Sequence, residues 1–432
     1  MNVSTSLQLD SARPWPLLAA GLLMLSVGMS NLGNYAFNGL VSRALPPAQF
    51  GAYGIAFAVI TVGAVPINVI RLAFVRETAA SLGSRVAAPP LAWIAALGNV
   101  LGPLSVLLPL LLVLALGVPR LWPEAAEAPA VVVLVILILA VMVLVYAGRG
   151  LLQGSVRLGS VSLSIFVEHL LRLSIFGALL LLSDSSQVPL IAMLIGLMGS
   201  WFATGRLLRS GADVETAERS GQGMLRRLLP TMAVFLVAYV AHTALFSADI
   251  ILAGFFLDRT LLGEYAALSL AGRIILFANL GVAELVLPAA TMPGPRMSTF
   301  VGRSVVLGAA IPVPILLAYL LFPGQSLSIL FGEGMAGLAG HLPLFGTAMY
   351  ILSLAGILLS LLLARGLGWY AAAAAVAAAL LEVALLVGRH ADVGEIVSDV
   401  LVAVSIYALA LTVMAAATVG WRRSVDTEPL GA

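Results

Sequence analysis

Along the chain, apolar residues come in runs of about twenty, broken by short stretches where Arg, Pro, Gly and Asp gather. A hydrocarbon layer roughly 30 Å thick is crossed by about 20 helical residues rising about 1.5 Å each, so every such run is long enough to span it. The pattern predicts twelve transmembrane helices, near 15–42, 50–72, 90–116, 129–147, 159–182, 187–205, 226–256, 263–291, 302–322, 340–364, 367–388 and 397–420. The first run is too long for a signal-peptide core and turns directly into the second, so it is read as retained. The expected fold is an all-α polytopic membrane protein.

Composition sharpens this picture. Of 432 residues 61% are apolar and 10% charged, and the longest polar stretch, 206–227, leaves no room for a sizeable extramembrane domain. Sixteen of the 22 arginines fall in segments 13, 71–85, 149–157, 206–227, 296–303, 365 and 422–423, which alternate with outer loops holding only Arg43, Arg120, Arg259 and Arg389. Positive loops resist translocation, so both termini are expected in the cytoplasm of a plasma (inner) membrane protein. The net charge of +2 gives no reason to expect nucleic acid.

Missing residue types exclude several chemistries. There is no cysteine, so disulfides, thiol nucleophiles and thiolate metal sites are out. All 22 basic residues are arginine, which removes a phosphate-loop lysine, a kinase lysine and a Schiff base. The four histidines, at 169, 242, 341 and 390, never fall at ligand spacing on one helix. Neither a G-x-S-x-G elbow nor an H-E-x-x-H helix occurs. No catalytic residue, metal or cofactor is expected, and the protein reads as a non-enzyme.

The two halves echo each other. Leu45, Gly51 and Tyr53 of the turn into the second span recur 212 residues later as Leu257, Gly263 and Tyr265. Arg149-Gly150-Leu151 recurs as Arg365-Gly366-Leu367 at offset 216, and Glu168 as Glu382 at offset 214. Six crossings per copy is an even number, so both copies enter the membrane in one sense, related by an axis along its normal. The expected organisation is an N-terminal lobe over 1–205, a cytoplasmic linker over 206–225 and a C-terminal lobe over 226–432. Paired lobes of this kind are the setting for alternating access around a midplane site.

Two stretches carry a family resemblance. The run Arg149, Gly150, Gln153, Gly154, Arg157, Gly159, Ser162, Ser164, then Glu168 and Arg172, resembles the R-G-x-x-Q-G-x-x-R-x-G-x-x-S-x-S signature of polysaccharide flippases. Asp249, Leu257, Gly263, Tyr265 and Arg273 resemble the start of their second half. These flippases belong to the multidrug, oligosaccharidyl-lipid and polysaccharide exporter superfamily. The resemblance implies movement of a polyprenyl-diphosphate-linked oligosaccharide from the cytoplasmic to the outer leaflet for polysaccharide biosynthesis, without ATP hydrolysis by the transporter. A multidrug antiporter of the same superfamily is the alternative.

Six ionisable residues sit within the expected spans: Glu168, Arg172, Asp249, Arg273, Glu284 and Glu382. Facing lipid, each would cost about 2.5–3.5 kcal/mol, so they are expected to face protein or a wet cavity. Glu168 and Arg172 stand four apart with the acid first, the spacing of a structural helical ion pair. Arg273 and Glu284 fall on one helical face, as do His242 with Asp249 and the asparagines Asn31, Asn34 and Asn38; spans one, seven and eight are therefore expected to border one cleft. Guanidinium forks suit a diphosphate, so Arg149 and Arg365 at the cytoplasmic mouth, Arg273 and the three asparagines are the candidate substrate residues. Asp249 and Glu284 are the candidates for coupling to sodium or a proton. Two arginines against four carboxylates leave this interior negative, which sits better with a cationic drug than with an anionic glycolipid.

Overall fold

In a computed structural model the described residues are 33–83, 129–155, 157–183, 185–209, 221–279, 282, 286, 295–389 and 392–426. They form helices: α1 (33–44), α2 (Pro47–Gly83), α3 (Pro129–Gly154), α4 (Leu158–Leu180), α5 (Gln187–Arg209), α6 (Gly221–Ala244), α7 (Ala248–Phe256) and α8 (Arg259–Ala278). After these come α9 (Pro295–Ala310), α10 (Val313–Leu321), α11 (Pro323–Phe331), α12 (Leu342–Ala364), α13 (Gly368–Gly388) and α14 (Val393–Asp426). Among the described residues nine segments are long and apolar enough to cross a membrane, and the bent pair α6–α7 supplies a tenth. The expected span at 90–116 lies outside the described residues.

Helix ends follow local chemistry. Pro47 opens α2, where a missing N–H costs nothing. Asp258 caps α8, its carboxylate accepting from the amides of Thr260 and Leu261 at 3.0 Å each. Gly366, at φ +81°, closes α12 in the left-handed region, and the Leu367 amide returns to the Leu362 carbonyl at 3.0 Å.

Two expected spans are broken rather than straight. After Ala244 the Phe246 and Ser247 amides reach back three residues, to Thr243 and Ala244, and α7 leaves α6 at 44°. Span nine is interrupted near Pro312, which has no N–H to continue the ladder. The breaks matter because Asp249 now sits in the first turn of α7, where the helix dipole favours negative charge.

Helices α2, α3, α4 and α5 pack on one another, and α6, α8, α12, α13 and α14 do likewise; α2 also crosses to α6, α7 and α8. At that crossing a Cβ on Gly51 would stand 3.0 Å from the Gly263 amide nitrogen, and one on Gly54 would stand 2.8 Å from the Ala266 Cβ. Each of these residues meets the residue 212 positions later, its own equivalent, as contacts across a two-fold axis do. The outer faces are apolar: Val402, Ile406, Leu409 and Val413 project from one side of α14, and Phe166 and Leu170 from α4. Such contiguous exposed apolar surface belongs against acyl chains, and the protein is a multi-pass membrane protein.

Candidate functional site

Buried charge collects in two places. In the first half, Arg149 on α3 donates to Glu168 Oε2 on α4 at 2.6 Å, to Ser164 Oγ at 3.0 Å and to Ser200 Oγ on α5 at 2.9 Å. Ser164 Oγ lies 2.8 Å from both Ser200 Oγ and Thr204 Oγ1. The helices come this close because Gly196 on α5 faces the Glu168 backbone carbonyl, where a Cβ would stand 2.7 Å away. The signature residue Gln153 is also engaged, accepting from Arg71 Nη1 at 2.8 Å.

Glu168 makes its direct ion pair with Arg149, while the expected partner Arg172 acts on it only electrostatically, without a direct bond. The helical spacing allows the first pair, but Arg149 reaches the carboxylate from the neighbouring helix in a better-bonded geometry. Arg172 turns instead to α1, donating to Asn34 Oδ1 at 2.7 Å and stacking 4.7 Å from the Phe37 ring centroid. Asn38 bonds the Asn34 carbonyl at 2.9 Å and accepts from the Tyr53 hydroxyl at 2.7 Å. Asn34 and Asn38 thus face α2 and α4 rather than spans seven and eight; Asn31 lies outside the described residues.

Arg149 and Arg365 do not form a matched pair at one mouth. Arg149 is buried one turn inside α3, whereas Arg365 is exposed at the end of α12. Helix ends align Gly154 with Ala364, and the amide-to-carbonyl turns Arg157 to Leu152 and Leu367 to Leu362 agree, an offset of 210 residues, so the Arg-Gly echo at 216 is out of register.

In the second half, Asp249 is completely buried and accepts from Tyr265 Oη at 2.9 Å and from Ser269 Oγ at 3.2 Å, both on α8. Arg273, one turn further along α8, stops 3.9 Å from Asp249 Oδ1, too far for a hydrogen bond. Its Nε and Nη2 are buried and have no hydrogen-bond partner among the described residues, and the same is true of Asp249 Oδ1. Glu382 on α13 is fully buried, interacts electrostatically with Asp249, and has neither oxygen bonded among the described residues. His242, expected on the Asp249 face, lies beyond the break in span seven, against Tyr407 and Gly356. The α8 helix ends at Ala278, and Glu284 lies outside the described residues.

Between the two clusters runs α1. Asn34 serves Arg172 on one side, and on the other Tyr35 lies 6.2 Å from the Phe277 ring of α8 and within electrostatic reach of Arg273. The arrangement offers buried guanidinium donors and carboxylate acceptors that have no partner among the described residues. Among the described residues no group of three metal-ligating side chains converges. Sequence reasoning missed Ser200 and Thr204, which carry no motif, while Tyr53 and Tyr265 were visible as coincident residues of the repeat.

No family model matches the sequence, and no curated protein matches it. Solved structures do. An inward-facing multidrug resistance MATE family transporter of the MOP superfamily superposes with a TM-score of 0.66 at 15% identity, over 90% of this chain and 95% of that one. The chain has the fold of these transporters. A MATE structure in the bent conformation matches at 0.64 and 12% identity, over 96% of this chain and 97% of its own. The lipid II flippase MurJ, in an inward closed conformation, matches at 0.63 and 14% identity, over 95% of this chain and 88% of its own. One fold thus serves both a drug transporter and a lipid flippase, so substrate class has to be argued from the site.

Proposed function

We propose that this chain is a flippase that carries a polyprenyl-diphosphate-linked oligosaccharide from the cytoplasmic to the outer leaflet of a plasma membrane by alternating access. Its moving parts are the lobes 1–205 and 226–432, joined by the cytoplasmic linker 206–225, with both termini in the cytoplasm. The observation that carries this reading is the pair Arg172 and Arg273, buried on either side of α1, with Arg172 Nε and Arg273 Nε and Nη2 left without acceptors among the described residues. Buried guanidinium donors without acceptors among the described residues suit a diphosphate and repel a cationic drug.

The interior is also less negative than the sequence suggested, because Arg149 is inside it and neutralises Glu168. Arg149 is then part of the scaffold, while Arg273 with Asn34 stays in the substrate path and Arg365 captures headgroups at the mouth. Asp249 is the coupling residue, with Glu284 as the second acid inferred from the sequence. Glu382 joins them, since a fully buried carboxylate that meets no donor among the described residues calls for a proton or a cation to neutralise it.

A multidrug antiporter is the second reading, favoured by the unpaired Glu382 beside Asp249. Reconstitution in liposomes separates the two. Translocation of a labelled polyprenyl-diphosphate glycan, lost in Arg172→Gln and Arg273→Gln, supports the flippase. Uptake of a cationic dye, lost in Glu382→Gln while the glycan stays put, supports the antiporter.

A further inference from the structure

The last four carbonyls of a helix have no partner within it. At the end of α11 all four are taken, three of them by the first half of the chain. Ser328 O accepts from the Gly332 amide at 2.9 Å, and the left-handed backbone of Gly332 at φ +96° then turns the chain away from the helix. Leu330 O accepts from Arg43 Nη1 at 3.0 Å, Ile329 O accepts from Arg43 Nη2, and Phe331 O accepts from the Ser42 hydroxyl at 3.0 Å.

Arg43 is braced for this task. Its Nη1 also bonds the Gly39 carbonyl of its own helix at 3.0 Å, and Gly39 lets α1 approach so closely that a Cβ there would stand 2.7 Å from Leu330 O. The guanidinium thus sits on the negative end of the α11 dipole. At the same end of the bundle Gly263 abuts the Pro47 carbonyl, with no room for a side chain. Arg43 is one of only four arginines on the side expected to lie outside, where the positive-inside rule gives no reason for one. Capping α11 supplies the reason.

We propose that Ser42 and Arg43 are a latch that holds the outer end of the bundle shut by capping α11 across the two halves. Outward opening releases all three inter-half hydrogen bonds together. The latch rests on the alternating-access reading and on the orientation proposed above, and the test separates its failure from theirs.

The natural chain has no cysteine, so Ala58→Cys, buried on α2 one turn below Gly54, adds a unique thiol behind the latch. Its labelling by an impermeant maleimide is followed in intact cells and, from the opposite face, in inverted vesicles. With Arg43→Gln added, outer labelling should rise about fivefold and inner labelling should fall. Ser42→Ala should give about a twofold change in the same directions, and Arg43→Lys a change between the two, since an ammonium keeps the charge but not the fork. Gly263→Leu wedges α8 from α2 without touching the latch. If the wedge raises outer labelling and Arg43→Gln does not, the latch is wrong while alternating access stands. If Arg43→Gln raises labelling from both faces, it merely loosens the protein and the latch is again wrong. If neither the wedge nor any latch variant ever admits label from outside, the transport reading falls and the latch falls with it.

Discussion

In the first half, Arg149 meets Glu168 at 2.6 Å and three hydroxyls fill the space around them, whereas in the second Arg273 stops 3.9 Å from Asp249 and Glu382 meets no donor among the described residues. The two clusters lie on different sets of helices, α3, α4 and α5 against α7, α8 and α13, so they differ in position as well as in side chains. A buried ion pair whose valences are filled adds rigidity and little else, while groups left unfilled in the same dry setting retain free energy that a ligand can release. On the proposed function, the contrast divides the labour: a scaffold in one half and a responsive site in the other.

The sharpest way to break this comparison is Glu168→Ala, which strands Arg149 in the interior. It should lower stability by about 3–5 kcal/mol, read as thermal unfolding in detergent, and Arg149→Met added to it should restore part of the loss. Next comes the opposite sign in the other half. Glu382→Leu removes an unsatisfied carboxylate and should raise stability by about 1–3 kcal/mol while weakening dependence of transport on the ion gradient. A loss like that of Glu168→Ala would show that the two clusters are alike after all.

Asp249→Asn should slow ion-driven transport about tenfold, a change of about 1.4 kcal/mol in the barrier, and should abolish its dependence on the gradient; full dependence would remove Asp249 from the coupling site. Tyr53→Phe, which deletes one hydrogen bond to Asn38, should cost about 1 kcal/mol of stability and leave coupling unchanged. Smallest is Arg365→Gln, at an exposed position: stability should move by less than about 0.5 kcal/mol, with the effect confined to the KM for the proposed lipid-linked glycan.

How much of this was legible beforehand depends on the distance over which each feature is decided. Spans could be read because the bilayer demands about 20 apolar residues wherever the chain crosses, a constraint written locally. Gly51 and Gly263 stood out in the sequence as coincident residues 212 apart, but their direct crossing was seen only in the fold. Partner choice was not legible either: helical spacing pointed Glu168 to Arg172, but Arg149, nineteen residues earlier, wins because Gly196 draws α5 up to α4 and brings Ser200 with it. The break after Ala244 was also hidden. The sequence 243–248 contains no proline, and its tightening is a response to packing. That unseen bend falls between His242 and Asp249, whose shared face was read from a straight helix.

The glycines of α5 have a mechanical consequence. Gly196 and Gly199 seat α5 directly on α4, and the Arg149 network ties α3 to both, so none of the three can slide past another without breaking buried hydrogen bonds. Such a body behaves as a lever arm. A tilt of about 15° with its fulcrum at one membrane face sweeps the far end, about 25 Å away, through about 6–7 Å. That stroke is wider than a sugar ring is thick, and it needs no helix within the arm to bend.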